Sequence, residues 1–385
     1  MGTASTMACI LVALGMMPIR GATAPAVSSA RLRIAEETGK LAVQAAATRL
    51  TPQQALSKAS FLNAITVLQA IGGSTNAVVH LMAIIGRHPE VAGAIDLSTF
   101  DEIGRKTPLI VDLKPSGENY MTDFHNSGGM LALLHELKPL LHLDAMTVSG
   151  KTLGEEIDLA PRIFVPRDSP VNCIHSLEDP LYPASSLVVL RGNLSPGGAV
   201  MKASASKERR LLCHRGKAVV FANSADLAQR IDNPELDVDA DSVLVLQNIG
   251  PVGNPGMPEA GLIPIPRKLG EQGIQDMLRL SDGRMSGTAG GTIALHISPE
   301  SADPESVLGI VKTGDIIECD VERRFLQLCV SEEVIKQRIE ARKADSETIG
   351  KASQLHTRGY RGLYMRSVNQ ANQGADFDFL TAAGP

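Results

Sequence analysis

The sequence predicts a mixed α/β (α+β) chain in two parts, mainly helical up to about residue 165 and β-rich from 166 to 345, with an arm over 346–385. Three observations predict this. Apolar residues recur at helical spacing from residue 27 to about 145. Between about 150 and 185 the text turns to proline-bearing connections, VPRDSPVN and EDPLYPASS, which place the domain boundary near 165. Beyond them come short β-rich runs separated by glycine turns. A chain of 385 residues, 44% apolar and 21% charged, can bury two cores.

The first apolar run, ACILVALGMM followed by GATAPA, has the outline of a secretory signal. No Lys or Arg precedes it, and ten apolar residues are too few to span a bilayer. It reads instead as a buried helix that exits at GAT and Pro25, with AVSSARLRIAEETGKLAVQAAA as the next helix. Leu32, Ile34, Leu41, Val43 and the run from Phe61 to Ile71 mark successive amphipathic segments. GGST, Gly72 to Thr75, precedes AVVHLMAIIG and so opens a helix. Its free N–H groups suit a carboxylate or phosphate, and equally a cap whose glycines allow close helix packing. His80, one turn in on an apolar face, reads as a packed core histidine. KPSGENYMTDFHNSGG carries Lys114, Glu118, Asn119, Tyr120, Asp123 and His125. Two readings fit it equally: a site lining with Lys114 and His125 as anion ligands, or a solvated loop capping the helix MLALLHELKPLL.

In the second part, SLVVLRG, GAVMKAS, KAVVFAN, SVLVLQNIG, GTIALHIS, VLGIVKTGDIIECDV and RRFLQLCVS read as strands. Their alternation and turns such as KTGD suggest a compact barrel or sandwich rather than repeated βαβ units. EVIKQRIEARKA reads as a helix, and the tail after Ser346 as a loosely attached arm that docks elsewhere, a neighbouring subunit included. Asn193 and Lys202, near glycine turns, read as structural, and His296 as barrel wall. Neither a strand followed by G-x-G-x-x-G nor a G-x-x-x-x-G-K-[ST] is present, so no nucleotide site is expected.

A net charge of −5 without a basic block leaves no electrostatic footprint for nucleic acid, and no segment reaches membrane-spanning length. Cys9, Cys173, Cys213, Cys319 and Cys329 lack the close spacings that gather thiolates around zinc or iron. Most of them read as small buried hydrophobes, and their odd number argues against a disulfide framework and for a reducing compartment.

The densest concentration of reactive side chains is LSDGRMSGTAGGTIALHISPES, which reads as strand, tight turn, strand. It carries Asp282, Arg284, Ser286 and Thr288. Gly283 and Gly287 leave room for a ligand beside the Ser286 hydroxyl and the neighbouring N–H groups, and they fit an ordinary glycine turn just as well. SDGRMSG, together with NIGPVGNPGMPEAGLIPIP upstream, resembles the dihydroxy-acid, sugar-acid and phosphogluconate dehydratase family. MGTASTM, IGGSTNAVVHLMAI, LKPSGENYMTDFHNSGGM, VLRGNLSPGGAVMKASA and GKAVVF extend the resemblance over nearly the whole chain. GMPEAGLIPIP and the tail RGYRGLYMRSVNQANQGADFDFL are most similar to the sugar-acid branch.

The resemblance implies a truncated N-terminal α/β domain followed by a β-barrel domain. It implies Mg²⁺ and a [2Fe–2S] cluster as cofactors, with the cluster cysteines and most metal ligands in a segment that would precede Met1. On that expectation the isolated chain is colourless and inactive. By the same resemblance Ser286 is the base, Thr288 and Arg284 contact substrate, and Glu259 is a carboxylate ligand to Mg²⁺; on its local pattern alone, Glu259 reads as a surface acid after a proline turn. Asp282 either joins the site or holds the turn. The implied activity is a hydro-lyase step that converts a 2,3-dihydroxy acid, a sugar acid above all, to a 2-keto-3-deoxy acid. A branched-chain dihydroxy-acid dehydratase and a non-catalytic remnant are the alternatives. The implied partners are a small polyhydroxy acid and further copies of the chain, as dimer or tetramer, in the cytoplasm, or in mitochondria if a targeting segment lies upstream.

Overall fold

A computed structural model describes residues 1–160, 172–353 and 358–382. The chain divides into two compact units, Met1–Ala77 with His88–Leu187, and Val78–Arg87 with Val188–Pro385. The expected boundary near 165 lies outside the described residues.

The regular elements of the first unit are helices: α1 (Thr3–Ala13), α2 (Ser29–Thr48), α3 (Pro52–Ala55), α4 (Lys58–Ala70), the start of α5 (Asn76–Arg87), α6 (Leu97–Gly104), α7 (Met121–Asn126), α8 (Gly129–Leu137) and α9 (Leu153–Leu159). α1 is the buried helix expected of ACILVALGMM, with Cys9, Ile10, Val12 and Ala13 at most 1% exposed. It packs on α4, whose start is capped by Ser57 Oγ accepting from Ser60 N. Close approach explains Gly73, since an added Cβ there would lie 2.7 Å from Thr6 Cγ2. Ser74 N donates to Thr6 Oγ1 and Asn76 N to Ser74 Oγ, so GGST is satisfied inside the unit as a cap. α2 forms where expected but buries none of its residues, and Leu32 and Val43 stand 75% and 71% exposed. Lys114 Nζ donates to Tyr120 Oη and lies over its ring, while His125 Nδ1 pairs with Thr23 Oγ1. Within this unit Lys114 and His125 therefore both have partners.

In the second unit, β1 (Val188–Leu190), β2 (Gly198–Met201), β3 (Cys213–Phe221), β4 (Val243–Leu246), β5 (Arg279–Ser281), β6 (Ile293–Ser298), β7 (Ile316–Asp320) and β8 (Phe325–Leu328) form one sheet. Its order is β1-β2-β6-β5-β4-β3-β7-β8, and a bridge between Arg191 and Phe325 links the two ends into a nearly closed barrel. Asn193 clasps β8 by donating to Leu328 O at 2.9 Å and accepting from Leu328 N at 2.7 Å, a structural role. Over the whole chain the architecture is mixed α/β, so mainly helical is too narrow a description.

One expectation needs correction. The pairings β3–β4, β4–β5 and β5–β6 are parallel, and α10 (Ser224–Arg230) joins β3 to β4 as a βαβ unit. The physical reason is connection length: residues 222–242 are long enough for a helical crossover, which a parallel pair requires. β1, β2, β4, β5 and β6 are buried at every position, while β3, β7 and β8 come closer to alternation. Val188, Met201, Val245, Leu280, Ala294 and Ile297 meet in the barrel core. On the other side, Phe221, Leu227, Leu246, Ile263 and Leu269 pack beneath α10 and α11 (Arg267–Gly270).

The helix α12 (Glu332–Ser353) forms as expected, followed by α13 (Gly359–Ser367). The described part of the arm docks on its own unit. Arg87 Nε and Nη2 each reach Asp376 at 2.6 Å, and Gly374, at φ +99°, sits so tightly that an added Cβ would lie 2.4 Å from Ala83 N. Among the described residues no helix is long and apolar enough to cross a membrane.

Candidate active site

Adjacent parallel strands deliver their following loops to the same end of a sheet. β4 and β5 are such neighbours, so the segments after them, NIGPVGNPGMPEAG and SDGRMSG, emerge side by side. Two buried carboxylates fix these loops. Asp282 accepts from Ile249 N at 3.0 Å, from Ser301 N at 2.8 Å and from the Ser301 hydroxyl, so it ties the ends of three strands together. It holds the turn. Glu300 accepts from Val252 N and Gly253 N, and from Gln370 Nε2 at 3.1 Å. Burial pushes both acids above the ordinary carboxylate range, against these hydrogen bonds. Tyr364 Oη donates to Pro251 O and accepts from Gly256 N, which binds the same loop to α13.

The two motifs are then joined directly. Arg284 Nε donates to Met257 O at 2.5 Å, and Gly261 N donates to Arg284 O at 2.8 Å. Glycine is required at 261 because a Cβ would lie 2.9 Å from Arg284 O, and at 283 because one would lie 2.4 Å from Ile249 Cγ2. Met285 and Ala289 anchor the turn on Ile293 and Leu295. Between these anchors Ser286 and Thr288 are exposed, their hydroxyl oxygens 3.0 Å apart, with Ala289 N donating to Ser286 O.

Glu259, exposed, and Arg284, half-buried, both act on His80 of α5. Burial lowers the basicity of this imidazole first, and the Arg284 charge lowers it further, while Glu259 opposes them. His296 lies deeper, 2% exposed, with neither ring nitrogen hydrogen-bonded. Burial, then Arg284 and His80, push its pKa down to about 3. Lys202 is buried and its ammonium makes no hydrogen bond, and burial lowers its pKa to about 8.

The donor set for the implied cofactors is not assembled here. Among the described residues no three His, Cys, Asp or Glu side chains gather to hold a metal ion. Burial raises Cys9 and Cys319 to about 12, far from the thiolate form that iron requires. Near the turn, Asp282 and Glu300 accept from backbone N–H groups, whereas Glu259 is exposed.

Of the residues singled out from the sequence, the structure brings Ser286, Thr288 and Arg284 onto one turn and the Glu259 segment beside it; Lys114 and His125 belong to the other unit. Sequence reasoning missed Glu300 and Tyr364, whose hydrogen bonds are long-range. His296, read from the sequence as barrel wall, does lie in β6 of the barrel.

The family model described as dihydroxy-acid/6-phosphogluconate dehydratase N-terminal matches residues 1–156, and its C-terminal counterpart matches 172–375. An L-arabonate dehydratase of Azospirillum brasilense is 44% identical over 376 residues, 97% of this chain and 62% of the relative. A 6-deoxy-6-sulfo-D-gluconate dehydratase of Pseudomonas putida is 41% identical over 387 residues, 99% of this chain and 63% of the relative. A dihydroxy-acid dehydratase of Methanococcoides burtonii is 37% identical over 375 residues, 97% of this chain and 65% of the relative. The chain thus spans less than two thirds of the length of these curated relatives. With both models matched along nearly all of its length, this chain belongs to the dihydroxy-acid/6-phosphogluconate dehydratase family.

Proposed function

We propose that the protein carrying this chain is a hydro-lyase that dehydrates a 2,3-dihydroxy acid, with a sugar acid as substrate and Ser286 as the base at C2. The observation that carries this reading is the exposed Ser286–Thr288 hydroxyl pair, on a turn whose base Asp282 and Arg284 hold fixed. Loss of the C2 proton and of the C3 hydroxyl gives an enol and water, and the enol becomes the 2-keto-3-deoxy acid. A serine hydroxyl is too weak an acid to serve as base unless its alkoxide is stabilised. Thr288 Oγ1 is positioned to donate to it, and the Arg284 guanidinium two residues away supplies positive charge. Arg284 also suits the substrate carboxylate, since its terminal nitrogens are left over when Nε is committed to Met257 O. Glu259 is our candidate oxygen ligand for Mg²⁺. The described residues complete neither a Mg²⁺ nor a [2Fe–2S] ligand set, so the steps assigned here are those of the chain's own side chains.

The preference for a sugar acid rests on relatives at 44% and 41% identity that are named for sugar acids, against 37% for a dihydroxy-acid dehydratase. The test is formation of 2-keto acid from L-arabonate, D-gluconate and 2,3-dihydroxy-3-methylbutanoate. Turnover of either sugar acid well above the branched acid supports the reading. A preference for the branched acid reassigns the substrate, and no 2-keto acid from any of them defeats the proposal.

A further inference from the structure

His296 occupies an unusual position. Between β2 and β6 the register runs from Gly198 opposite Ser298 to Val200 opposite Leu295, two residues against three, so β6 carries an extra residue. His296 falls in that bulge with φ +56°, a left-handed conformation uncommon outside glycine and costly unless the surroundings enforce it. Its neighbours divide between faces: Leu295 packs with Met285 of the turn, and Ile297 faces the barrel core. His296 N donates to Gly283 O at 3.0 Å, which ties the bulge to SDGRMSG, and the ring lies within electrostatic reach of Arg284 and His80. A bulge beside a site is a means of re-aiming a side chain.

What the ring lacks is a partner. Both nitrogens are sealed from solvent and neither is hydrogen-bonded. A buried donor and acceptor left unsatisfied cost free energy, part of which a ligand recovers, because no hydrogen bond of the ring itself has to break. A neutral imidazole offers one donor and one acceptor. A carboxylate can pair only with the N–H, whereas a hydroxyl can pair with either nitrogen, by accepting from one or donating to the other. The ligand that suits Arg284 and His296 together therefore carries an anionic group and a neighbouring hydroxyl. The ring is sealed, so a ligand reaches it only when neighbouring side chains shift, and Arg284 and His80 are the charged groups that act on it.

We propose that His296 is a further substrate-binding residue, which receives a hydroxyl of a small hydroxy acid whose carboxylate sits on Arg284. This rests on the reading of the 284–288 turn as the substrate site. The test uses the 385-residue chain with ¹³C-labelled histidine, titrated with D-gluconate and with propanoate, which has the carboxylate without the hydroxyl. Gluconate is expected to shift the His296 ring signal and propanoate to leave it in place. His296→Asn keeps the left-handed backbone but falls short of the ring's reach, and should weaken gluconate binding about tenfold while sparing propanoate. If gluconate slows amide exchange over residues 284–290 without moving the His296 signal, the inference fails and the turn remains the site. If gluconate changes neither, the inference fails as well, and the functional reading is decided separately by 2-keto acid formation in the protein carrying this chain.

Discussion

At the scale of single residues, Asp282 and Lys202 are both buried and have opposite consequences. Asp282 meets three donors and acts as a clamp. The Lys202 ammonium meets none, and burial lowers its pKa from 10.5 to about 8. Because the folded-state value is the depressed one, the lysine is charged at pH 7 in both states, and the fold bears the cost of a buried charge. That cost is complete below pH 8 and disappears as pH rises from about 8 to 10.5, so stability rises across that window. A depression of this size corresponds to roughly 3 kcal/mol. Lys202→Met should therefore stabilise the protein at pH 7, by up to about that amount, and flatten the rise between pH 8 and 10.5 in urea titrations. Unchanged or lower stability of Lys202→Met at pH 7 would show that the ammonium has a partner in solution. From the sequence, Lys202 was one polar residue beside a glycine turn, and its isolation is a property of the burial around it. Ser286, Thr288 and Arg284 were legible because they share one short motif. The role of Asp282 was not, because its partners Ile249 and Ser301 lie 33 and 19 residues away.

At the scale of elements, the site depends on two loops that leave neighbouring parallel strands and are held by side chains from elsewhere. The Tyr364 hydroxyl bridges Pro251 O and Gly256 N across the first of these loops. Tyr364→Phe removes both hydrogen bonds and keeps the edge-to-face ring contact with Phe377. The Gly256 amide should then exchange faster by about tenfold, the loss of one hydrogen bond's net contribution, while strand amides keep their protection. Unaltered exchange at Gly256 would mean that Asp282 and Glu300 hold the loop unaided. The strands themselves were legible as apolar runs between glycine turns. Their directions were not: strands buried on both faces lose the alternation that separates a hairpin partner from a crossover partner, so the parallel trio β4, β5 and β6 went unforeseen. The bulge at His296 is likewise a fact of register, fixed only when β2 and β6 pair.

At the scale of the whole chain there are two units, each with its own buried core, and the named strands all lie in the second, together with helices. The helical spacing from residue 27 to 145 is realised as helices and the later apolar runs as strands, while Val78–Arg87 joins the second unit. α2 departs from that pattern, since its apolar residues are spaced as for a core but remain exposed. The arm departs too: its Tyr364, Gln370 and Asp376 make long-range bonds within the second unit, and none of them carried a local signal of its destination. Tyr364 and Gln370 of the arm brace the loops beside one turn, and the central proposal is that the hydroxyl at its tip removes a proton. In the protein carrying this chain, Ser286→Ala is predicted to lower kcat on a sugar acid at least about a hundredfold, the scale of a general base, with KM and circular dichroism little changed. Turnover of Ser286→Ala within a few-fold of the parent would contradict the account.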